Sequence, residues 1–145
     1  MPRHVLVPLD GSPQSLHALR FVAGEWSDAR VTLLHVIDPV QAGYRAGVLP
    51  TGSEDWYQEA RADAEAVLAE GRDLLVDDRG ADDLAVETAT AVGRPAATIV
   101  EQTRERDVDH VAVGSHGRRG VSRLLLGSVA EHVARRSTVP VTIVR

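Results

Sequence analysis

The residues best suited to chemistry lie in two glycine- and serine-containing stretches, Pro8–Ser12 (PLDGS) and Gly114–Ser128 (GSHGRRGVSRLLLGS). Each follows an apolar run of the kind that forms a strand. Glycine permits positive φ and lets the backbone approach a ligand closely. The helical pattern that begins at Val129 should direct the backbone N–H groups of its first turn into the second stretch, where they would favour an anion. The sequence therefore predicts a site for an anionic ligand such as a phosphate.

The composition excludes several other kinds of chemistry. The 145 residues include 16 Lys+Arg and 21 Asp+Glu, a formal net charge of −5, and every one of the cations is arginine. Without Lys there is no Walker A loop, no protein-kinase site and no Schiff-base catalysis. The chain also lacks Cys and Asn. Thiol catalysis, disulfides, thiolate zinc sites and N-glycosylation are therefore excluded.

Size and polarity indicate one soluble domain spanning residues 1–145. Hydrophobic residues make up 43% of the chain, enough for a core, but only 3% are aromatic, so that core must be aliphatic. A sequence pI near 5.6 argues against nucleic acid as a partner. No apolar run reaches the roughly 18–20 residues of a membrane span, and the N-terminal run is too short for a signal peptide. We expect a cytoplasmic protein.

Apolar runs alternate with helical patterns along the chain. Leu16, Trp56, Pro95 and Val129 open the helical patterns, and Ser12-Pro13 predicts an N-cap followed by a first-turn proline. The alternation predicts an open parallel sheet with helices on both faces and a ligand site at the carboxyl ends of its strands. The apolar runs predict strands buried on both faces at Val5–Leu9, Val31–Ile37, Leu84–Thr88, His110–Val113 and Val139–Val144.

The spacing Gly114-x2-Gly117-x9-Gly127-Ser128 resembles the G-x2-G-x9-G-[ST] motif of the ATP-binding universal stress proteins. The resemblance extends over the whole length and in the family's order. It includes VPLDGS at 7–12, LLHVI at 33–37, GRPA at 93–96 and VPVTIV at 139–144. It implies a Rossmann-like, adenine nucleotide alpha hydrolase-like fold, with an open five-stranded parallel sheet in the order 3-2-1-4-5. It also implies a homodimer formed through the last strand.

The same resemblance implies a function in the stress response. The protein would bind ATP, or ADP or AMP, with Mg²⁺ or Mn²⁺, and would act by nucleotide-dependent signalling or partner binding. The divalent ion would bridge phosphate oxygens, with no metal ligand supplied by the chain. Neither nucleic acid nor a membrane is an expected partner.

Each matched position acquires a role by this resemblance. Asp10 would face the adenine, which the Val36 backbone would hydrogen-bond, while Pro8 and Gly114 would lie against the ribose. The phosphates would meet the Ser128 hydroxyl and a group of loop and helix N–H groups. Those N–H groups belong to Gly117, Gly127, Ser128 and Val129. The predicted nucleotide contacts are Pro8, Asp10, Ser12, Val36, Gly114, His116, Gly117, Gly127, Ser128 and Val129.

Several of these residues also have a purely structural interpretation. Ser128 and Glu131 match a capping box, in which the hydroxyl bonds the helix's own N–H. Asp10 could cap the first helix or fix a turn with Gly11. Gly127 could be a packing point at a helix entry, and a lone loop histidine such as His116 is more often a surface residue than a catalyst.

Two further segments each have both a functional and a structural interpretation. Asp38–Ser53 is long and rich in Gly and Pro, so it could be a functional lid or a disordered loop. Arg118, Arg119 and Arg123 could pair with the γ-phosphate or form a solvated loop.

The leading hypothesis is a nucleotide-binding module that is not a turnover enzyme, because no general base with a supporting partner can be identified. Slow ATP hydrolysis stays open, as does a nucleotide-free, stress-associated interaction protein. A hydrolase could use Ser115 or Ser12 with His116 and Asp10, but the G-x-S-x-G elbow is absent. A phosphoryl-accepting receiver domain would need a Lys after its last strand, which this chain lacks.

Overall fold

The computed structural model describes residues 2–40, 54–79, 85–115 and 126–145. Strands and helices alternate along these ranges, as the sequence predicts. The strands are β1 (His4–Pro8), β2 (Arg30–Ile37), β3 (Val86–Val92), β4 (His110–Gly114) and β5 (Val141–Val144). The helices are α1 (Pro13–Glu25), α2 (Glu54–Arg79), α3 (Pro95–Glu105) and α4 (Ser128–Arg136).

The strands form one parallel sheet in the order β3-β2-β1-β4-β5, which confirms the predicted topology. The central strand β1 pairs with β2 from His4↔Arg30 to Pro8↔Leu34 and with β4 at Val5↔His110. The connections that leave β1 and β4 therefore run to opposite halves of the sheet. This divergence places the switch point, where open α/β sheets bind ligands, between the carboxyl ends of β1 and β4.

Two aliphatic cores cover the two faces of the sheet. On one face, Leu19 of α1 and Leu75 of α2 pack with Leu33 of β2, and all three are fully buried. On the other face, α3 and α4 cover a second cluster that includes Leu6 and Leu34. Among the described helices, none is both long enough and apolar enough to cross a membrane.

The third and fifth strands depart from the prediction. The third was expected at Leu84–Thr88 but forms at Val86–Val92, and Leu84 lies outside the described residues. It was also expected to be buried on both faces, yet Thr88, Thr90 and Val92 are exposed. Because β3 lies at the edge of the sheet among the described residues, paired with β2 alone, it tolerates a Thr-Ala alternation that a search for apolar runs does not detect.

The fifth strand was expected from Val139 but begins at Val141. The residues before it form a turn, in which the Val139 N–H donates to the Ser137 hydroxyl at 3.1 Å and the Val139 carbonyl accepts from it at 2.7 Å. Pro140 has no N–H for a ladder, although its carbonyl accepts the Val111 N–H at 3.0 Å. The apolar character of the run therefore extends beyond the strand.

Candidate functional site

The turn after β1 is held by hydrogen bonds at Leu9, Asp10 and Ser12. The Leu9 N–H donates to the Leu34 carbonyl at 2.8 Å, which extends the β1–β2 pairing by one residue. Asp10 Oδ1 then accepts the Ser12 N–H at 2.9 Å, and Gly11 adopts a φ of +83°. Ser12 caps α1 by accepting the Ser15 N–H at 3.2 Å. Asp10 therefore fixes the turn with Gly11, and the predicted cap at Ser12 is confirmed.

The end of β4 lies directly against the first turn of α1. A Cβ added to Gly114 would stand 2.8 Å from the Gln14 backbone oxygen and 2.9 Å from its carbonyl carbon. Such distances are shorter than real Cβ atoms show, so only glycine allows this approach. The contact brings the carboxyl end of β4 beside the Asp10 turn, and the two predicted loops begin at the same place.

The start of α4 is fixed by a chain of backbone bonds from the last strand. The Ser115 N–H donates to the Val144 carbonyl at 2.9 Å, and the Gly127 N–H donates to the Ser115 carbonyl at 2.6 Å. Gly127 is the N-cap residue, and its carbonyl accepts the Glu131 N–H at 2.9 Å. The helix therefore enters at the end of β4, directly above the sheet edge that carries Gly114.

This geometry rules out one alternative for Ser128 and gives the Gly127 N–H a partner within the chain. The capping box between Ser128 and Glu131 does not form, because Ser128 is the first helical residue and Gly127, which has no side chain, occupies the cap. The Glu131 carboxylate pairs instead with Arg135 at 3.0 Å. The Gly127 N–H, expected to face phosphate, is bonded to the Ser115 carbonyl.

The remaining N–H groups of the first turn keep an orientation suited to an anion. Ser128 and Val129 occupy the first helical positions of α4, where an N–H has no partner within the helix. Ser128 is exposed and Val129 is half-buried. The aligned peptide dipoles add a positive partial charge at this end. The helix start can therefore bind an anion without any cationic side chain.

Most of the predicted nucleotide contacts lie at this carboxyl edge. Pro8 ends β1 opposite Leu34, and Val36 is half-buried on β2 opposite Ala91. His116 and Gly117 lie outside the described residues, as do Arg118, Arg119, Arg123 and all of Asp38–Ser53 beyond Val40. The residues placed at the edge are Pro8, Asp10, Ser12, Val36, Gly114, Gly127, Ser128 and Val129.

A residue that is not among the predicted nucleotide contacts also belongs to this edge. His35, on β2, brings its Nδ1 within 2.7 Å of the Leu9 carbonyl oxygen. A histidine inside an otherwise apolar strand is the signal that could have found it. Across residues 2–40, 54–79, 85–115 and 126–145, no three His, Asp or Glu side chains form a cluster that could hold a metal ion.

A second polar cluster lies at the opposite, amino edge of the sheet. His4 Nε2 lies 2.7 Å from Thr32 Oγ1, and the Thr32 hydroxyl donates to Glu87 Oε1 at 3.2 Å. Since that hydroxyl has a single proton, which it donates to Glu87, it must accept from the Nε2–H group of His4. Arg106 completes the chain by donating to Glu87 at 2.9 Å. The cluster ties together β1, β2, β3 and the end of α3.

Burial controls the protonation of the histidines at this edge. Burial lowers the pKa of His4 below its usual 6.5, and Arg30 lowers it further, with a smaller contribution from Arg106. The carboxylates of Glu87 and Asp109 oppose this shift. Burial also lowers the pKa of His110, whose Nε2 lies 2.6 Å from Thr142 Oγ1. Burial therefore favours the neutral form of both histidines in the folded chain.

We expect the folded protein to lose stability as the pH falls through the interval just below about 6.5. Across this interval His4 and His110 of the unfolded chain bind protons more readily than the folded state does, so acid favours unfolding. Urea unfolding at a series of pH values measures the slope of the free energy of unfolding against pH. In His4→Gln/His110→Gln, each amide can replace Nε2 but cannot titrate, so the slope should flatten. An equally steep slope in the double variant would contradict this origin.

Comparisons with known proteins agree with this architecture. The sequence profile of the universal stress protein family matches residues 1–145. Universal stress protein YxiE of Bacillus subtilis is 32% identical over 154 residues, covering 97% of this chain and 97% of that protein.

Two solved structures share the fold. That of MJ0577 from Methanocaldococcus jannaschii has a TM-score of 0.75 and 27% identity, covering 98% of this chain and 94% of that one. A universal stress protein in complex with cAMP has a TM-score of 0.67 and 28% identity, covering 99% and 97% of the two chains. The match of the family profile over the entire sequence, together with this fold, shows that the chain belongs to the universal stress protein family.

Proposed function

We propose that this universal stress protein binds an adenine nucleotide, namely ATP, at the carboxyl edge of its sheet. One observation carries the proposal: the end of β4 adjoins both predicted loops, because Gly114 approaches Gln14 in the first turn of α1 and the Ser115 carbonyl accepts the Gly127 N–H at the start of α4. The glycine motif that ends at Gly127-Ser128 supports ATP in particular. A structural neighbour at 28% identity is in complex with cAMP, which supports an adenine nucleotide more generally.

The chemistry of the edge fits the two ends of a nucleotide. At the α4 end, the Ser128 and Val129 N–H groups and the Ser128 hydroxyl supply donors for phosphate oxygens. At the other end, the half-buried Asp10 carboxylate is an acceptor, and the exocyclic amine of adenine is a donor. Because no Lys is available, phosphate charge would be balanced by these donors and by a divalent ion. Mg²⁺ would be held by phosphate oxygens and water, as it commonly is.

We further propose that binding, with no turnover, is the activity. Ser12, one of the two candidate nucleophiles, is only 2% exposed, and its hydroxyl accepts the Ser15 N–H at 3.2 Å. Its role as a helix cap argues against a hydrolase. Single-turnover assays with labelled ATP test the absence of turnover, and product formation faster than spontaneous hydrolysis would contradict it.

On the basis of family membership, we also propose that the protein acts in the stress response in the cytoplasm, through its nucleotide state or through partner binding.

The homodimer expected through the last strand is also proposed. In the described chain β5 ends the sheet, with β4 as its single neighbour. An edge strand presents backbone N–H and C=O groups that can pair with a second chain. Sedimentation equilibrium tests the proposal, and a monomer at all concentrations would contradict it.

Isothermal titration calorimetry with ATP and Mg²⁺ should show binding at micromolar strength or better. Gly127→Val should weaken this binding at least about tenfold, because Gly127 is buried at the helix entry and a valine side chain would displace the α4 N-terminus. Gly24→Ala is the control, because a Cβ at Gly24 meets nothing within 4 Å. If millimolar ATP produces no heat of binding and no shift of the unfolding temperature, the proposal is contradicted. That result would favour the nucleotide-free interaction protein.

A further inference from the structure

The side chain of His35 contacts the backbone immediately before Asp10. Its Nδ1 lies 2.7 Å from the Leu9 carbonyl oxygen. A carbonyl oxygen can only accept, so Nδ1 must bear the proton. This assigns the ring tautomer: in the neutral form Nδ1 is the donor and Nε2 the acceptor. The hydrogen bond joins the carboxyl-end half of β2 to the residue that follows β1.

Both backbone polar groups of Leu9 are therefore held by β2. Its N–H donates to the Leu34 carbonyl at 2.8 Å, which continues the strand pairing, and its carbonyl accepts from the His35 ring. The Leu9 side chain is 2% exposed and belongs to the core under α1 and α2. Leu9 is thus fixed at its N–H, its carbonyl and its side chain.

The Leu9 carbonyl shares a peptide plane with the Asp10 N–H, so a bond to one orients the other. The next residue, Gly11, has a φ of +83°, and Asp10 Oδ1 accepts the Ser12 N–H at 2.9 Å. The chain therefore turns sharply just after the plane that His35 holds. A rotation of that plane would turn the Asp10 carboxylate away from Ser12 and from the sheet edge.

We propose that His35 is a positioning residue for recognition of the adenine base, acting through the Leu9–Asp10 peptide plane. The inference rests on the proposed function, in which the Asp10 carboxylate faces the base. His35 acts at the base end of the site, whereas the phosphate end depends on the start of α4. Loss of the Nδ1 bond should therefore reduce discrimination between adenine and guanine nucleotides more than it reduces affinity for phosphate.

Two substitutions at His35 test whether the Nδ1 donor is the feature that matters. In His35→Asn the amide nitrogen can take the place of Nδ1 and donate to the Leu9 carbonyl, whereas His35→Leu has no donor. His17→Leu, at an exposed position of α1, controls for the loss of a histidine. A variant that was merely less stable would lose affinity for all nucleotides in proportion to its unfolded fraction, and its base preference would stay unchanged.

The experiment measures the dissociation constants of Mg-ATP and Mg-GTP for each variant, together with ¹⁵N shifts of the His35 ring. We expect the Nδ1–H form, a loss of about tenfold in preference for ATP in His35→Leu, and recovery in His35→Asn. An Nε2–H ring, or an unchanged preference in His35→Leu, would overturn the inference while leaving nucleotide binding intact. Failure of the parent protein to bind either nucleotide would instead overturn the proposed function and, with it, this inference.

Discussion

Gly114→Ala should lower the free energy of unfolding by about 2–3 kcal/mol, the upper part of the range for overpacking a well-packed site. The added Cβ would meet the backbone oxygen of Gln14 at 2.8 Å and its carbonyl carbon at 2.9 Å. Because both atoms are backbone, no change of rotamer relieves the contact. Either β4 or the first turn of α1 has to move, and both are held in place, β4 by its pairing with β1 and β5 and α1 by the Ser12 cap.

Urea unfolding followed by circular dichroism measures this loss, with Gly24→Ala as the matched control. Gly24 lies in α1, where a Cβ has open space and alanine is the better helix former, so the control should be as stable as the parent or slightly more so. Gly114→Ala should also bind ATP more weakly, since the added Cβ would displace the end of β4, whose next residue, Ser115, accepts the Gly127 N–H at the start of α4. A Gly114→Ala protein with parental stability would show that the two elements separate at little cost.

The parallel sheet could be predicted because it depends on features that a sequence displays directly. The fully buried Val5–Val7 segment of β1 and the apolar β2 give nearly unbroken runs, and helical patterns separate them. The resemblance to the family then implied the order of the strands. The ends of β3 could not be predicted in the same way. An edge strand such as Val86–Val92 is selected by backbone pairing with β2 more than by burial, and its Thr-Ala alternation carries little apolar signal.

The candidate site was predictable as a place, but not in its hydrogen bonds. The pattern Ser128-x-x-Glu131 matches a capping box, but the helix begins one residue earlier than the pattern requires, with Gly127 as the cap and its N–H bonded to the Ser115 carbonyl. That bond depends on tertiary structure and cannot be deduced from the local pattern. The same holds for the amino edge, where His4 and Thr32 are 28 residues apart. Polar contacts between distant residues leave no periodic trace in the sequence.

Gly93→Ala should lower the free energy of unfolding by about 2–4 kcal/mol, because it combines a steric clash with an unfavourable backbone conformation. Gly93 follows β3, has a φ of +156°, and donates its N–H to the Ile37 carbonyl at 2.9 Å. A Cβ at this position would collide with Thr98 Oγ1. Thr98 is 7% exposed in α3, and its branched side chain has few rotamers available in a helix. The hydroxyl therefore cannot easily turn away.

A double-mutant cycle separates the two causes. In the Thr98→Ala background the colliding oxygen is gone, so Gly93→Ala should cost less there, leaving only the contribution of the backbone conformation. In the Thr98→Val background a methyl group can replace the hydroxyl, so the clash and the full cost should remain. Urea unfolding of the four members of each cycle gives the coupling energy. Equal costs in the parent and in Thr98→Ala would show that the φ of Gly93, and not the contact with Thr98, is what requires glycine after β3.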